Sequence, residues 1–107
     1  MVITATKENF EAEILKSTQP VVVDFFATWC GPCKMMLPVF DDVANELGAK
    51  YKFAKLNIDE EREIAVNHNV SSIPTILFIK DGSVVGKETG FMNKETLKNK
   101  IENYFGK

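Results

Sequence analysis

The stretch Trp29-Cys30-Gly31-Pro32-Cys33-Lys34 constrains the chain more than any other, because it holds both cysteines, two residues apart. On its N-terminal side runs Val21-Val22-Val23-Asp24-Phe25-Phe26, and Pro20 to Ala27 as a whole reads as a central parallel strand covered on both faces. On its C-terminal side Met36, Phe40, Val43 and Leu47 recur at helical spacing. The cysteines therefore fall where a strand passes into a helix. Whatever they do, the rest of the chain supports that junction.

A chain of 107 residues buries one core but not two, so a single domain over residues 1–107 is expected. A net charge of −2 offers no electrostatic footprint for nucleic acid or an anionic membrane surface. The longest uncharged apolar run falls far short of a membrane span. The start, Met1-Val2-Ile3-Thr4-Ala5-Thr6-Lys7-Glu8, lacks the basic segment and apolar core of a secretion signal. A reducing, cytoplasmic setting follows as the expectation, and structural disulfides are rare there. Two cysteines are also too few for a disulfide scaffold.

In chain order, Val2-Ile3-Thr4 reads as a short first strand. A helix follows, capped by Asn9 or Thr6, with Phe10, Ile14 and Leu15 inward. Gln19-Pro20 breaks it before the central strand. The long helix runs from about Pro32 to Leu47, with Pro38 kinking it from within and Gly48 as its C-terminal cap. Tyr51 to Ile58 alternates as a strand, and Asp59 is placed to cap a short helix through Asn67. Thr75 to Ile79 is a buried strand, and Asp81-Gly82 makes a tight hairpin turn into Val84 and Val85. Asn93 caps a last helix that buries Leu97, Ile101, Tyr104 and Phe105. This alternation predicts an α/β sandwich around a mixed sheet.

A Cys-x-x-Cys pair at a helix start has its own chemistry. The first turn offers unpaired backbone N–H groups and partial positive charge. Cys30 is favoured there as thiolate, the nucleophile of disulfide exchange. Cys33, one turn on, is within reach to attack the mixed disulfide and release the reduced partner. Gly31 permits a tight turn and Pro32 pre-sets helical φ. The competing use is a zinc half-site, but only His68 joins the two cysteines from the usual soft ligands, short of the four normally needed.

Val23-Asp24-Phe25-Phe26-Ala27-Thr28-Trp29-Cys30-Gly31-Pro32-Cys33-Lys34 resembles the active-site segment of the thioredoxin family. Matching pieces follow in order: Pro38, Lys55 to Asp59, Ile73-Pro74-Thr75, Gly82 and Gly90. The resemblance covers essentially the whole chain. It implies a thioredoxin-like three-layer α/β/α sandwich, with a central mixed sheet of about five strands flanked by four helices. The Gly31-Pro32 dipeptide resembles that of the reducing members, where oxidising and isomerising relatives usually carry a His. Phe26 stands where many members have a second Trp, and Phe91 is bulkier than its counterpart in some members.

Asp24 is the second informative residue. A carboxylate within a doubly covered strand is expensive unless paired or protonated, and desolvation raises its pKa. A group tuned toward neutrality suits the proton that Cys33 must lose, though an acid that only orients nearby backbone is the plainer use. The resemblance implies the proton role, with Lys55 as electrostatic partner. It also implies a cis bond before Pro74, packed beside the cysteines, leaving the Ile73 backbone free to pair with an extended substrate. Trp29, Gly31, Pro32, Ile73 and Gly90 are expected to form an apolar rim that meets partners, against core packing as the alternative for Trp29. Met35 and Met36 read as core or near-core filler, His68 as a helix-surface residue and Asp59 to Glu63 as a solvated helix start.

The function implied is protein-disulfide reduction as a general cytoplasmic electron donor. Cys30 is the nucleophile, Cys33 the resolving thiol and Asp24 the proton acceptor and donor. The implied partners are an NADPH-dependent thioredoxin reductase and disulfide-containing client proteins. No bound cofactor or metal is expected, since the dithiol is the redox group, and a monomer is expected. The alternatives are a disulfide oxidase or isomerase, and a redox-independent binding subunit of a larger complex.

Overall fold

The apolar run before the cysteines becomes the middle of the sheet. In the computed structural model, which describes residues 1–106 and leaves Lys107 outside, β2 (Val21–Phe26) is buried along almost its whole length. It pairs in parallel with β3 (Lys52–Asn57) on one side and antiparallel with β4 (Thr75–Lys80) on the other. The short β1 (Val2–Thr4) lies parallel along the outer side of β3, and β5 (Ser83–Thr89) runs antiparallel to β4. The order β1-β3-β2-β4-β5 makes a five-stranded mixed sheet. Both Asp81 and Gly82 take positive φ, 52° and 80°, as a two-residue hairpin turn with the twist of the flanking strands requires.

Strand alternation divides the core into two layers. Val22, Phe53, Ile76 and Phe78 face α1 (Gly31–Leu47) and α3 (Lys94–Phe105), meeting Met36, Phe40, Leu97 and Ile101. Val21, Val23, Phe25 and Leu56 face the opposite way. They meet Phe10 and Ile14 of a helical segment over Phe10–Leu15 and Ala65 of α2 (Arg62–Asn67). Helices thus cover both faces of the sheet, the thioredoxin-like three-layer arrangement. None of the described helices is long and apolar enough to cross a membrane.

The local signals were partly redirected by packing. Phe10–Leu15 is π-helical, with Lys16 N–H donating to the Glu11 carbonyl at 2.8 Å, and it still buries Phe10 and Ile14. Thr6 and Asn9 bond reciprocally, each backbone N–H to the other's side-chain oxygen, at 2.8 and 3.3 Å. Gly48 ends α1 in a right-handed conformation, φ −64°, so the expected left-handed glycine cap does not form. Asp59 does not cap α2, which starts at Arg62 after Glu61 with no side-chain cap bond. Asn93 caps α3 as expected, accepting from Thr96 N–H at 2.9 Å.

Candidate active site

Val22, Asp24 and Phe26 alternate onto the same face of β2. Val22 packs with Met36 of α1, and Phe26 packs against Cys30 and Cys33. Asp24 therefore lies between them, beneath the first turns of α1. It is fully buried, and neither carboxyl oxygen has a hydrogen-bond partner among the described residues. Burial strips solvent from the ionised carboxylate and pushes its pKa from 3.8 up to about 7, opposed by the positive charge of Lys55. Lys55 is its register partner on β3, which places the two on one face of the sheet.

Cys30 is the N-cap of α1, with extended backbone at φ −91°, ψ 115°. Its Sγ accepts from Cys33 N–H at 3.2 Å, so sulfur takes the place that a serine or aspartate oxygen fills at most helix starts. The two cysteines are joined as a disulfide, with Cα atoms 5.2 Å apart. They are not equivalent, because Cys30 keeps 6% of its surface exposed and Cys33 none. Gly31 and Pro32 open α1 and are exposed. Pro38 sits within the same helix, where the Lys34 carbonyl loses its usual donor.

Residues from distant strands close around the sulfurs. Cys30 Sγ lies 3.9 Å from the Ile73 carbonyl oxygen, and the Ile73–Pro74 peptide bond is cis. Ile73 also packs against the cysteine pair. Gly90, at φ +97°, donates its N–H to the Pro74 carbonyl at 2.8 Å. Cys30, Cys33, Ile73, Pro74 and Gly90 thus converge at one end of the strands β2, β4 and β5, with Asp24 below. Trp29 flanks them, 67% exposed, its indole N–H donating to Asp59 Oδ2 at 2.8 Å.

Three features were not anticipated. Asp59 anchors Trp29 across thirty residues, a contact that no local spacing signals. Met35 is 60% exposed while Met36 is fully buried, so only the second of the two methionines belongs to the core. A helical step of roughly 100° per residue separates such neighbours, and periodicity counted from Phe40 selects Met36. Met92 N–H donates to Met36 Sδ at 3.4 Å, tying the start of α3 to α1. His68 ends α2, its Nδ1 2.9 Å from the Ile64 carbonyl and its ring 5.2 Å from Phe10, and it does not join the cysteines. Among the described residues no three His, Cys, Asp or Glu side chains are grouped to hold a metal ion.

A fully buried cysteine bonded to one that keeps a little exposed surface, with an orphaned carboxyl behind the pair, is equipped for stepwise disulfide exchange. Comparison with known proteins points the same way. The thioredoxin family model matches residues 1–103. The chain is 45% identical over 102 residues to a thioredoxin of Chlorobaculum thiosulfatiphilum, covering 95% of this chain and 94% of that one. It is 43% identical over 96 residues to a thioredoxin of Pseudomonas aeruginosa, covering 90% and 89%. To a thioredoxin of Bacillus subtilis it is 42% identical over 103 residues, covering 96% and 97%.

Proposed function

This chain belongs to the thioredoxin family and is a protein-disulfide reductase with a redox-active cysteine pair; we propose how the work is divided within its site. Cys30 is the attacking thiolate, Cys33 the resolving thiol and Asp24 the group that carries the second proton. The observation behind this division is the unequal exposure of the two cysteines, 6% against 0%, above a carboxyl with no hydrogen-bond partner among the described residues.

The first step follows from the helix start. In the reduced protein the Cys30 thiolate keeps the Cys33 N–H bond and the positive end of α1. It attacks one sulfur of a client disulfide. A Cys30–client bond forms, the client disulfide breaks, and its second sulfur leaves as thiolate. Asp24 then accepts the Cys33 proton, and the Cys33 thiolate attacks Cys30 Sγ. The Cys30–Cys33 bond closes, the Cys30–client bond breaks, and the client sulfur that Cys30 attacked leaves as the second thiolate. Two electrons have passed from the dithiol to the client. An acid whose pKa sits at about 7 divides its population between both forms near neutrality, which suits a group that must take and return a proton.

Trp29, Gly31, Pro32, Ile73 and Gly90 form the rim across which the client chain lies, with Pro74 shaping it and Lys55 tuning Asp24. The dithiol is the only redox group, and no further cofactor takes part. The clients are disulfide-containing proteins, and the oxidised pair is returned to dithiol by an NADPH-dependent thioredoxin reductase. A monomeric, cytoplasmic protein folded as one domain over 1–107 completes the reading, supported by the family match over most of that length.

The test is dithiothreitol-driven insulin reduction, repeated with NADPH and a thioredoxin reductase. The native chain accelerates insulin precipitation, Cys30→Ser abolishes it, and Cys33→Ser accumulates a covalent client adduct through Cys30. An adduct formed through Cys33 in Cys30→Ser but none through Cys30 in Cys33→Ser would reverse the assignment.

A further inference from the structure

We propose that Met36 is a positioning residue of the reductase: its sulfur holds residues 90–93 against α1, and so fixes where Gly90 stands relative to the cysteine pair. The proposal rests on the division of roles above and adds to it a residue that acts only through others. Residues 90–93 lie between β5 and the first turn of α3, where no ladder of backbone bonds holds them. Two of their N–H groups are tied down. Gly90 donates to the Pro74 carbonyl at 2.8 Å, and Met92 donates to Met36 Sδ at 3.4 Å. The second bond is the unusual one, because a thioether is a weak acceptor and a buried N–H left without a partner is costly. Both partners are enclosed, Met36 fully and Met92 with 8% of its surface exposed.

Met36 lies one helical turn beyond Cys33, on the buried face of α1. The tethers therefore close a circuit around the redox pair. It runs from Cys33 along α1 to Met36, through the sulfur to Met92, and back along the chain to Gly90. From Gly90 it crosses to Pro74 and returns through Ile73, whose carbonyl oxygen is 3.9 Å from Cys30 Sγ. Apart from the cysteines, Met36 supplies the only side chain in that circuit. Leucine occupies a similar volume and offers no acceptor. With leucine there, Met92 N–H stays unpaired in the core or turns toward water, and either way Gly90 loses its second anchor. A small disulfide needs only the two sulfurs and is indifferent to that loss. A protein client lying over Gly90 is not.

Single-turnover reduction tests this. Reduced protein is mixed with insulin or, separately, with the aryl disulfide dithiobis(nitrobenzoate). Each probe disulfide takes two electrons and becomes two thiols as Cys30 and Cys33 join. In Met36→Leu the insulin rate relative to the aryl-disulfide rate should fall roughly twofold to tenfold, the size of one lost hydrogen bond. Hydrogen exchange at the Met92 amide should quicken while the amides of β2 keep their protection. Met92→Leu changes the side chain but keeps the N–H, and should leave the ratio as it is. A ratio unchanged in Met36→Leu, or lowered as much by Met92→Leu, overturns the proposal and leaves the reductase reading intact. Selenomethionine and norleucine forms of the native chain repeat the comparison with the side-chain shape kept. The norleucine form should show the lower ratio and the faster exchange at position 92, and the selenomethionine form the native values. Equal behaviour of these two forms also overturns the proposal. Failure of the native protein to reduce insulin removes both the reading and the proposal.

Discussion

Asp24 and Lys55 are register partners across β2 and β3, yet the carboxyl makes no hydrogen bond among the described residues, so the lysine acts on it only through space. This isolation ties the stability of the fold to the protonation of Asp24, and under the proposed division of roles it ties the resolving step to it as well.

Asp24→Asn should stabilise the fold at and above neutral pH and do little in acid. Below the unfolded value of 3.8 both states are protonated and the native acid carries no penalty. As pH rises, the unfolded chain ionises first, and native stability is lost progressively until the folded group ionises at about 7. The full penalty is on the order of 4 kcal/mol. Urea unfolding of the oxidised protein from about pH 3.5 to about pH 8.5 should show the two proteins diverging across that window. Equal stabilities at alkaline pH would mean that Asp24 is not held protonated.

Lys55→Met should raise the Asp24 pKa further, because the lysine is what opposes desolvation. The carboxyl resonance of Asp24, followed by carbon NMR, should titrate at higher pH than in the native chain. The rate at which Cys33 resolves a trapped mixed disulfide should shift its pH profile in the same direction. A profile that stays in place would detach Asp24 from the resolving step.

Asp59→Ala should free the Trp29 indole with little change in stability, since the bond it removes is exposed. Fluorescence anisotropy of the chain's single tryptophan should fall. KM for a protein disulfide should rise a few-fold (roughly twofold to fivefold) while kcat changes less, because a looser rim weakens binding before chemistry. Asp59→Asn keeps an acceptor and should fall between.

Gly86→Ala should cost about 1–3 kcal/mol through crowding. A Cβ there would come within 2.5 Å of Tyr104 ring atoms, and that ring already packs against Phe78 at 4.6 Å with its hydroxyl on Glu88. Removing the ring should abolish the cost, so Gly86→Ala made in a Tyr104→Ala background should be nearly neutral. Thermal unfolding of the four proteins gives the coupling.

What the sequence made legible was chemistry that acts locally. Asp81-Gly82 announced its turn because both residues tolerate the required positive φ, and Asn93 announced its helix because a cap bonds only three residues away. The buried carboxylate was visible because Asp24 interrupts an apolar run. Asp59 was misread for the complementary reason: an aspartate before three glutamates looks like a helix start, and only the folded chain brings Trp29 to it. The π-helical turn over Phe10–Leu15 escaped notice because one extra residue per turn scarcely alters which side chains point inward over so short a span.

The strand order bears also on how the protein is made. Val2 pairs with Phe53, so β1, once it has left a ribosome, lacks its partner strand until about fifty further residues have followed. β4, β5 and the turn between them, by contrast, lie together in sequence and can assemble as soon as they emerge. The redox pair sits between these two schedules: its helix is complete early, but Ile73, Pro74 and Gly90 arrive late. A nascent chain therefore carries both thiols well before it has the residues that close around them.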